Sequence, residues 1–466
     1  EYCNVNDKSK DCYLISAAYE TEKVLYSNRV AFTKDSLDLY ISTKNELCYG
    51  NVASRDSYKL FFSRDSANCV DSIFLYNCQN CQSCFGCVNL RNKQYHIFNQ
   101  PNTKEEYVKK LEKLDLGSYG NFGQTSTKFE EIVKNSIHRY ANILKTVDVT
   151  GDNVTHTKNC HFCFDLEATE DSKFINWGGY LLKDSYDAGP GIGDHAELLY
   201  EVFDAVTVGR LISCGTVYNS YDIQYSYNCH GSNNLIGCVG LRNKSYCILN
   251  KQYTKEEYER MVPRIIEQMN QMPYIDKKGR IYKYGEFFPP ELSPFSYNET
   301  IAQEYFPLTK DQALEKGYSW KDPEPRNYQI QIPNDQIPDH IKDVQDDIVN
   351  QIIECGHQGK CNEQCTEAYK IIPQELAFLR RMNLPLPRLC PNCRHYQRIK
   401  QRNPLKLWHR RCECAGETSE NKVYQNTADH IHHKKDEPCQ NEFETTYAPE
   451  RPEIVYCEQC YLREVV

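Results

Sequence analysis

A stretch of twenty-two residues occurs twice in this chain and constrains its fold more than any other feature. Gly86–Tyr107 and Gly237–Tyr258 agree at fifteen of these twenty-two positions. Two unrelated segments do not share that much sequence, so the N-terminal half contains an internal duplication. In each copy a short strand-like run leads to a helix start. Thr103 or Thr254 is the predicted N-cap there, and a glutamate follows three residues later, as a capping box requires.

Short β-type runs recur through both copies, separated by the residues of tight turns. Leu37, Leu39 and Ile41 alternate with Asp38 and Tyr40, so at least one run has a single buried face. Because the runs are very short and the chain is duplicated, the sequence favours a β-solenoid over a sandwich. We predict a mainly β fold with some α: duplicated, parallel β-helix-like solenoid modules, each closed by a helix, followed by C-terminal treble-clef or zinc-ribbon modules.

The predicted domain boundaries follow the repeats and the changes in composition. They place a first β-solenoid repeat at 1–110, a helical connector at 111–150, a second repeat at 151–270, a connector rich in Pro and Tyr at 271–345 and zinc-binding modules at 346–466. A net charge of −9 does not fit a globally basic nucleic-acid binder. No apolar run approaches the roughly 18 residues of a membrane span. The chain begins at Glu1 rather than Met, which suggests a fragment or a processed form.

The chain has twenty-four cysteines, and their spacing predicts two different uses. Several form C-x2-C or C-x3-C pairs, which suit metal ligation in a reducing compartment, so we expect a cytoplasmic protein. Four others form a C-x2-C-x2-C-x2-C run, which resembles an iron–sulfur motif. These are Cys78, Cys81, Cys84 and Cys87. Cys81 and Cys84 align with Ser232 and Leu235 in the second copy, so buried structural thiols are the preferred interpretation. The same applies to the pair Cys160 and Cys163.

Two sets of C-terminal cysteines predict zinc. The first is Cys361, Cys365, Cys390 and Cys393, which form two close pairs of the kind that structural zinc prefers. The second is Cys412, Cys414, Cys439, Cys457 and Cys460. Five cysteines compete for four positions in this second set, so one of the first three is expected not to be a ligand. We therefore expect two zinc ions.

The surroundings of the second set predict a zinc ribbon. Thr445–Tyr447 and Glu453–Tyr456 would form its hairpin. His430, His432 and His433 can supply a ligand, although a polar insertion is the favoured interpretation of that stretch. Because protein side chains would fill every ligand position, neither site keeps the open position of a catalytic zinc.

A basic segment, 394–411, lies between the two zinc sets. It carries seven Lys or Arg residues and no acid, with aromatic residues interleaved. Basic side chains beside aromatic rings suit phosphate contact and base stacking, whereas the alternative is a solvated basic helix that balances an acidic neighbour. The candidate nucleic-acid-binding residues are Arg394, Arg398, Lys400, Arg402, Lys406, Trp408, Arg410 and Arg411.

Three motifs carry a resemblance to a known family. They are GCVGLRNKSYCILNKQYTKEEY, LPLPRLCPNCRHYQRIKQRNPLKLWHRRC and FETTYAPERPEIVYCEQCY. The chain resembles a family of uncharacterised cysteine-rich proteins with β repeats and zinc ribbons from candidate-phyla bacteria, and the similarity covers essentially its whole length. The resemblance implies zinc and a cytoplasmic location but no established activity.

Three functions compete at this point. The first is a non-enzymatic zinc-binding scaffold that binds RNA or DNA through 394–411. The second is a protein–protein interaction scaffold in which zinc is purely structural. The third, the least favoured, is a β-helix enzyme that acts on polysaccharide. The sequence has no paired carboxylates, nucleophile elbow, phosphate loop or open metal site, so it favours a non-enzyme. It suggests no membrane partner and no small-molecule substrate.

Overall fold

The computed structural model of the chain describes residues 1–178, 180–324, 326–414, 426–434 and 437–466. Within these ranges the protein is mainly β, with twenty-seven strands and eight α-helices. None of the helices in the described ranges has the length and apolar character needed to cross a membrane.

Nine strands form the first β module, a sheet in which consecutive strands are neighbours. All pairs are parallel except the last, and the parallel pairs keep an offset of twelve residues, as in Ser16 opposite Asn28 and Asn28 opposite Tyr40. The strands are β1 (Asn4–Asp7), β2 (Ser16–Leu25), β3 (Asn28–Leu37), β4 (Tyr40–Glu46), β5 (Arg55–Phe61), β6 (Val70–Tyr76), β7 (Phe85–Val88), β8 (His96–Ile97) and β9 (Gln100–Pro101).

Every third side chain of the first β module is buried, from Ile15 to Cys87. The residue before each of them has a left-handed backbone with positive φ, and only Gly50 and Gly86 among these residues are glycines. The inward side chains are mostly small, and the serines among them satisfy the backbone. The Ser63 hydroxyl, for example, donates to the Phe61 carbonyl and accepts from the Leu75 amide at 2.9 Å. A narrow interior therefore selects small residues that pair with neighbouring backbone groups.

The four cysteines of the C-x2-C-x2-C-x2-C run are consecutive inward residues of this three-residue period. All four are buried, and each sulfur donates to the carbonyl two residues earlier at 3.3–3.4 Å. Cys160 and Cys163 are buried in the same way in the second β module, with sulfur-to-carbonyl distances of 3.3 and 3.4 Å. These thiols are core side chains.

Two helices close the first β module, α1 (Lys104–Leu114) and α2 (Tyr119–Lys134). The predicted capping box is present, since the Thr103 hydroxyl accepts from the Glu106 amide at 3.2 Å and the Glu106 carboxylate accepts from the Thr103 amide. The helical part of the 111–150 connector ends at Lys134. The chain then becomes extended as β10 (Ile137–Arg139), because this strand pairs with a C-terminal strand.

The second β module is a ten-stranded sheet. Most strands follow the chain order in parallel, and paired residues are between eleven and fourteen positions apart in the chain, as in Ile143 opposite Val154 and Leu182 opposite Ala196. The fourth strand pairs with both the fifth and the sixth, and each of these pairs with the seventh, so these four strands form a closed ring of pairs. The strands are β11 (Ile143–Leu144), β12 (Val147–Thr155), β13 (Lys158–Glu167), β14 (Glu170–Ile175), β15 (Leu182–Lys183), β16 (Tyr186–Ala188), β17 (Ala196–Gln224), β18 (Asn233–Ile236), β19 (Ser245–Ile248) and β20 (Lys251–Gln252). The helix α3 (Lys255–Gln271) follows, and Thr254 caps it with the same box as Thr103.

The repeated stretches make matching contacts in the two β modules. Nη2 of Arg91 donates to the Asn77 side chain at 3.2 Å, and Nη2 of Arg242 donates to the Asn228 side chain at 3.1 Å. Ile97 and Ile248 are buried at equivalent positions, with 9% and 6% of their surface exposed. The two stretches therefore place equivalent side chains in similar surroundings.

The rest of the chain has short elements. They are β21 (Tyr274–Ile275), β22 (Ile281–Tyr282), α4 (Ala302–Tyr305), α5 (Lys310–Glu315), β23 (Ile353–Glu354), β24 (Ala368–Tyr369), α6 (Pro373–Met382), α7 (Pro391–Ile399), β25 (Trp408–Arg411), β26 (Glu442–Thr445), β27 (Ile454–Tyr456) and α8 (Glu458–Val465). The predicted hairpin between 445–447 and 453–456 is wrong. β26 pairs with β25, and β27 pairs in parallel with β10, because the edge of β10 offers β27 an alternative partner.

The C-terminal cysteine-containing parts pack on the first β module and on β10. Tyr49 and Phe61 of the first β module share one apolar core with Leu379, Cys390 and Cys393. A separate core joins Ile137 of β10 to the last part of the chain, including Tyr456 and Tyr461. The cysteine clusters therefore lie close to the surfaces on which the C-terminal parts rest.

Candidate metal centres

Four cysteines form what we call the first cysteine group. Their sulfur atoms all lie within 4.8 Å of one another. The group consists of Cys355, Cys365, Cys390 and Cys393. Cys390 is the N-cap of α7 and Cys393 lies in its first turn, whereas Cys355 directly follows β23. The Cys390 backbone amide donates to the Cys355 sulfur at 3.3 Å, which holds the two residues together.

The first cysteine group differs from the predicted set by one residue. Cys355 lies in the group, and the predicted ligand Cys361 lies beside it, with its sulfur 3.7 Å from that of Cys393. Cys361 belongs to a neighbouring set with His357, Glu363 and the shared Cys393. The sequence did not reveal Cys355 because it lacks a close cysteine partner along the chain, whereas Cys361 and Cys365 form an evident pair.

The second cysteine group consists of Cys412, Cys439, Cys457 and Cys460, all buried and all within 4.8 Å of one another. Cys412 directly follows β25, and Cys457 is the N-cap of α8. The Cys457 amide donates to the Cys412 sulfur at 3.2 Å. Cys414 is the member of the predicted five that lies outside the group. It lies in an adjacent set with His430, His433 and Cys460.

The spacing of the sulfur atoms suits a tetrahedral metal ion. Zinc–sulfur bonds of about 2.3 Å place the ligand atoms of a tetrahedron roughly 3.8 Å apart. The sulfurs of Cys355 and Cys393 are 3.9 Å apart, as are those of Cys439 and Cys457. The thiols of each group share hydrogen bonds, which lower the pKa of Cys390 and Cys457 and raise the pKa of their partners Cys393 and Cys460. Each group can hold a metal ion with four protein ligands.

The cations of the basic segment 394–411 mostly face the protein. Arg394, Arg398 and Arg410 are buried, whereas Lys400, Lys406 and Arg411 are exposed and Trp408 is half-buried. Nη2 of Arg402 lies 2.5 Å from the Asp165 carboxylate, and Arg410 pairs with Glu413 at 2.9 Å. Lys400 forms an ion pair with Glu363. The segment therefore connects the C-terminal part to the rest of the chain through its own charges.

Arg394 and Arg398 form a buried charge cluster with two acids. Arg394 Nη1 lies 2.7 Å from Asp38 and 2.8 Å from Glu375, and Arg398 Nη1 lies 2.7 Å from the other oxygen of Asp38. The side chains of both acids are at most 2% exposed. Burial raises the pKa of the Glu375 carboxyl, and Arg394 opposes that rise. Burial lowers the pKa of Arg398, while Asp38 opposes that change. The alternation of apolar residues in 37–41 placed Asp38 on the polar side of its run, but Asp38 is buried and forms the centre of this cluster.

A polar cavity of about 360 Å³ lies where both β modules meet the C-terminal part, and its lining includes Asp65, His138, Asp152 and Arg402. Burial and the nearby Asp152 raise the pKa of Asp65 to about 6. Burial lowers the pKa of His138 to about 4. The neutral ring donates from Nε2 to the Val133 carbonyl at 3.0 Å, which leaves Nδ1 as an acceptor. Sequence reasoning missed this cavity because its residues come from widely separated stretches.

Comparisons with known proteins assign no family and no function to this chain. No protein-family model matches the chain, and no curated protein matches it.

Proposed function

We propose that this protein is a non-enzymatic scaffold in which structural zinc holds two C-terminal modules against a duplicated β-solenoid. The first module is of treble-clef type, and the second is of zinc-ribbon type with the antiparallel pair β25 and β26 as its hairpin. The two cysteine groups support zinc because tetrahedral thiolate sets are its preferred structural sites. Four protein ligands leave no open position for a reacting water, which supports a structural role over a catalytic one. The twelve-residue offset and the matching contacts of the repeated stretches support the duplicated solenoid.

One observation carries this proposal: the helix α7 joins a metal-binding group to a β module. Its N-terminus supplies Cys390 and Cys393, and the next turns supply Arg394 and Arg398, which bind Asp38 of the first β module. An ion bound to the cysteines fixes the start of the helix and thereby the direction of both arginines. Small zinc modules depend on the metal for their folding, so the ion also stabilises the contact between the parts.

Hydrogen exchange after removal of the metal tests this role. A chelator under reducing conditions is expected to remove protection from α6, α7 and α8, while amides of the β modules far from the contact keep theirs. Restoring zinc to the same sample should restore the protection, which controls for thiol damage. Unchanged protection in the three helices of a demonstrably metal-free protein would contradict structural zinc.

The partner that we propose for this scaffold is another protein. The rings of Phe162, Phe174 and Tyr186 form an exposed row on the second β module, with exposed fractions of 44%, 43% and 46%. Neighbouring ring centres are 5.4 and 6.2 Å apart. Contiguous exposed apolar surface marks interaction sites on soluble proteins. Phe174→Ser is the variant expected to reduce partner capture without changing metal content, because Phe174 is exposed and lies outside the apolar core of the second β module.

Nucleic-acid binding through 394–411 is a second candidate that one observation favours. The Lys406 ammonium lies 5.0 Å from the ring centre of Trp408, so an exposed cation and an aromatic face are adjacent. Binding of this kind weakens with salt, with a slope of about −0.7 to −0.9 per phosphate contact on a log–log scale. Lys406→Glu and Trp408→Ala should reduce retention of an RNA or DNA pool. A zinc-loaded protein without salt-dependent retention would leave the protein scaffold as the function.

A further inference from the structure

The second cysteine group has more metal-binding side chains around it than one ion can use. Cys412, Cys439, Cys457 and Cys460 form one set of four donors. A second set of four, whose donor atoms also lie within 4.8 Å of one another, consists of Cys414, His430, His433 and Cys460. The sets share only Cys460. Because a structural zinc ion takes four ligands, the first set alone satisfies one ion and leaves the other three donors of the second set unexplained.

Hydrogen bonds fix the orientation of both histidines of the second set. Nε2 of His430 lies 2.8 Å from the Glu464 carboxylate, and both side chains are completely buried. That carboxylate also accepts from the Thr427 amide at 2.9 Å, which holds it in place. Nδ1 of His433 lies 2.7 Å from the Lys434 carbonyl. Each ring therefore donates through one nitrogen and presents the lone pair of the other, which is the arrangement found at metal-binding histidines.

The two presented nitrogens converge on the same sulfur atoms. Nδ1 of His430 lies 3.9 Å from the Cys414 sulfur, and Nε2 of His433 lies 3.4 Å from it. Nε2 of His433 is also 3.5 Å from the Cys460 sulfur. Zinc bonds of about 2.0–2.3 Å separate tetrahedral ligand atoms by roughly 3.3–3.8 Å. Both distances from His433 fit the edges of such a tetrahedron, and the distance from His430 is slightly longer. The side-chain Nδ2 of Asn426 donates to the Cys414 sulfur at 2.9 Å, which favours a thiolate there.

We propose that Cys414, His430, His433 and Cys460 bind an additional zinc ion, and that the Cys460 thiolate bridges it to the ion in the second cysteine group. This inference rests on the proposed structural zinc. It turns the C-terminal site into a two-metal cluster and raises the expected content from two to three zinc ions per chain. His432 forms a further set of four donors with His433, Cys439 and Cys460, and its Nε2 lies 3.3 and 3.2 Å from those two sulfurs. The other three donors of that set already belong to the two ions of the cluster, so we assign His432 to neither ion.

Native mass spectrometry of the reduced full chain, purified without added metal, measures the number of bound zinc ions. The parent protein should carry three ions and Cys414→Ser two, whereas His432→Gln should keep three. Three ions in Cys414→Ser, or two in the parent, would overturn the additional site. A parent without zinc would instead overturn the proposed function, so the two failures are distinguishable.

A milder variant covers the case in which Cys414→Ser fails to fold. Glu464→Gln keeps the shape of the side chain that orients His430 and removes its charge. Loss of such an orienting group typically weakens metal affinity by about 10- to 100-fold. Chelator competition should therefore show one zinc ion of Glu464→Gln released at lower chelator concentration, with the other two unchanged. If all ions are released as in the parent, or if His432→Gln loses an ion and His430→Gln does not, the ligand assignment is overturned.

Discussion

Nη1 of Arg394 lies 2.7 Å from the carboxylate of Asp38, although 356 residues of chain separate the two. Arg394 directly follows Cys393 of the first cysteine group, and Asp38 lies between two strands of the first β module. This contact joins the start of the chain to its metal-binding part. The main role of the basic segment is therefore to connect parts of the same chain, and binding of partners is secondary.

Asp38→Asn should destabilise the protein strongly. The substitution keeps the side-chain shape and tolerates the left-handed backbone of this residue, but it leaves two buried guanidinium groups without their shared anion. Removing one partner of a buried ion pair costs about 3–5 kcal/mol. Urea denaturation of the metal-loaded protein measures the change.

Asp35→Asn is the matched control. Asp35 lies three residues before Asp38 and has the same left-handed backbone, but its side chain is only half-buried. Its cost should stay below about 0.5 kcal/mol. Equal effects of the two substitutions would show that the loss comes from the turn rather than from the ion pairs with Arg394 and Arg398.

Cys390→Ser should remove the metal of the first cysteine group and unfold the segment around α6 and α7. The β modules should stay folded, because their inward side chains and parallel pairs do not depend on this ion. Limited proteolysis locates the unfolded part, and circular dichroism reports the remaining β structure. Cleavage spread evenly over the chain would contradict independent folding of the β modules.

Cys81→Ser should leave the metal content unchanged. Cys81 is a buried inward residue of the first β module, and its sulfur donates to the Gln79 carbonyl. Serine occupies the same kind of inward position repeatedly, for example at Ser63 and Ser72, so the replacement should also be tolerated sterically. Elemental analysis checks the outcome, with Cys390→Ser as the comparison that does lose metal. Loss of iron from Cys81→Ser would revive the iron–sulfur interpretation.

Asp65→Asn should stabilise the protein at pH 7 but not at pH 3.5. The pKa of the Asp65 carboxyl in the folded state is raised from the usual 3.8 to about 6. Between these two pH values the folded protein therefore keeps a proton on Asp65 that the unfolded chain has already lost. The carboxylate therefore costs stability as pH rises through this window, by about 1–3 kcal/mol at pH 7. Asn removes that cost. Thermal unfolding from pH 3.5 to 7.5 measures the difference.

Asp71→Asn provides the control for this pH dependence, since Asp71 has a similar left-handed backbone but forms an exposed pair with Lys59 at 2.9 Å. Exposed pairs contribute about 0–1 kcal/mol, so little change is expected. If Asp65→Asn were less stable than its parent at pH 7, the prediction would be wrong, because favourable partners would then stabilise the ionised carboxylate.

The sequence revealed the local features of this protein well. Both capping boxes, at Thr103 and Thr254, are present because they depend on residues three apart. The three-residue period of inward side chains was also visible, as the spacing of Cys78 and Cys81 shows, but it was interpreted only as a cysteine pattern. Serines and cysteines both recur along that period, and recognising them as one class of small inward side chains would have predicted the interior directly.

Contacts between distant segments could not be predicted in the same way. The partner of Asp38 depends on how the C-terminal part docks, and nothing near Asp38 in the sequence specifies an arginine of α7. Cys355 escaped notice because the turn after β23, rather than sequence spacing, brings it to Cys390. The partner of β27 likewise depends on the position of β10. Such features follow from tertiary packing, which overrides local pattern.

Elemental analysis of the fully reduced protein, purified without added metal, tests the central claim most directly. Structural zinc in both cysteine groups predicts zinc as the bound metal, with at least two ions per chain. Iron in place of zinc, or less than one zinc ion per chain, would contradict it.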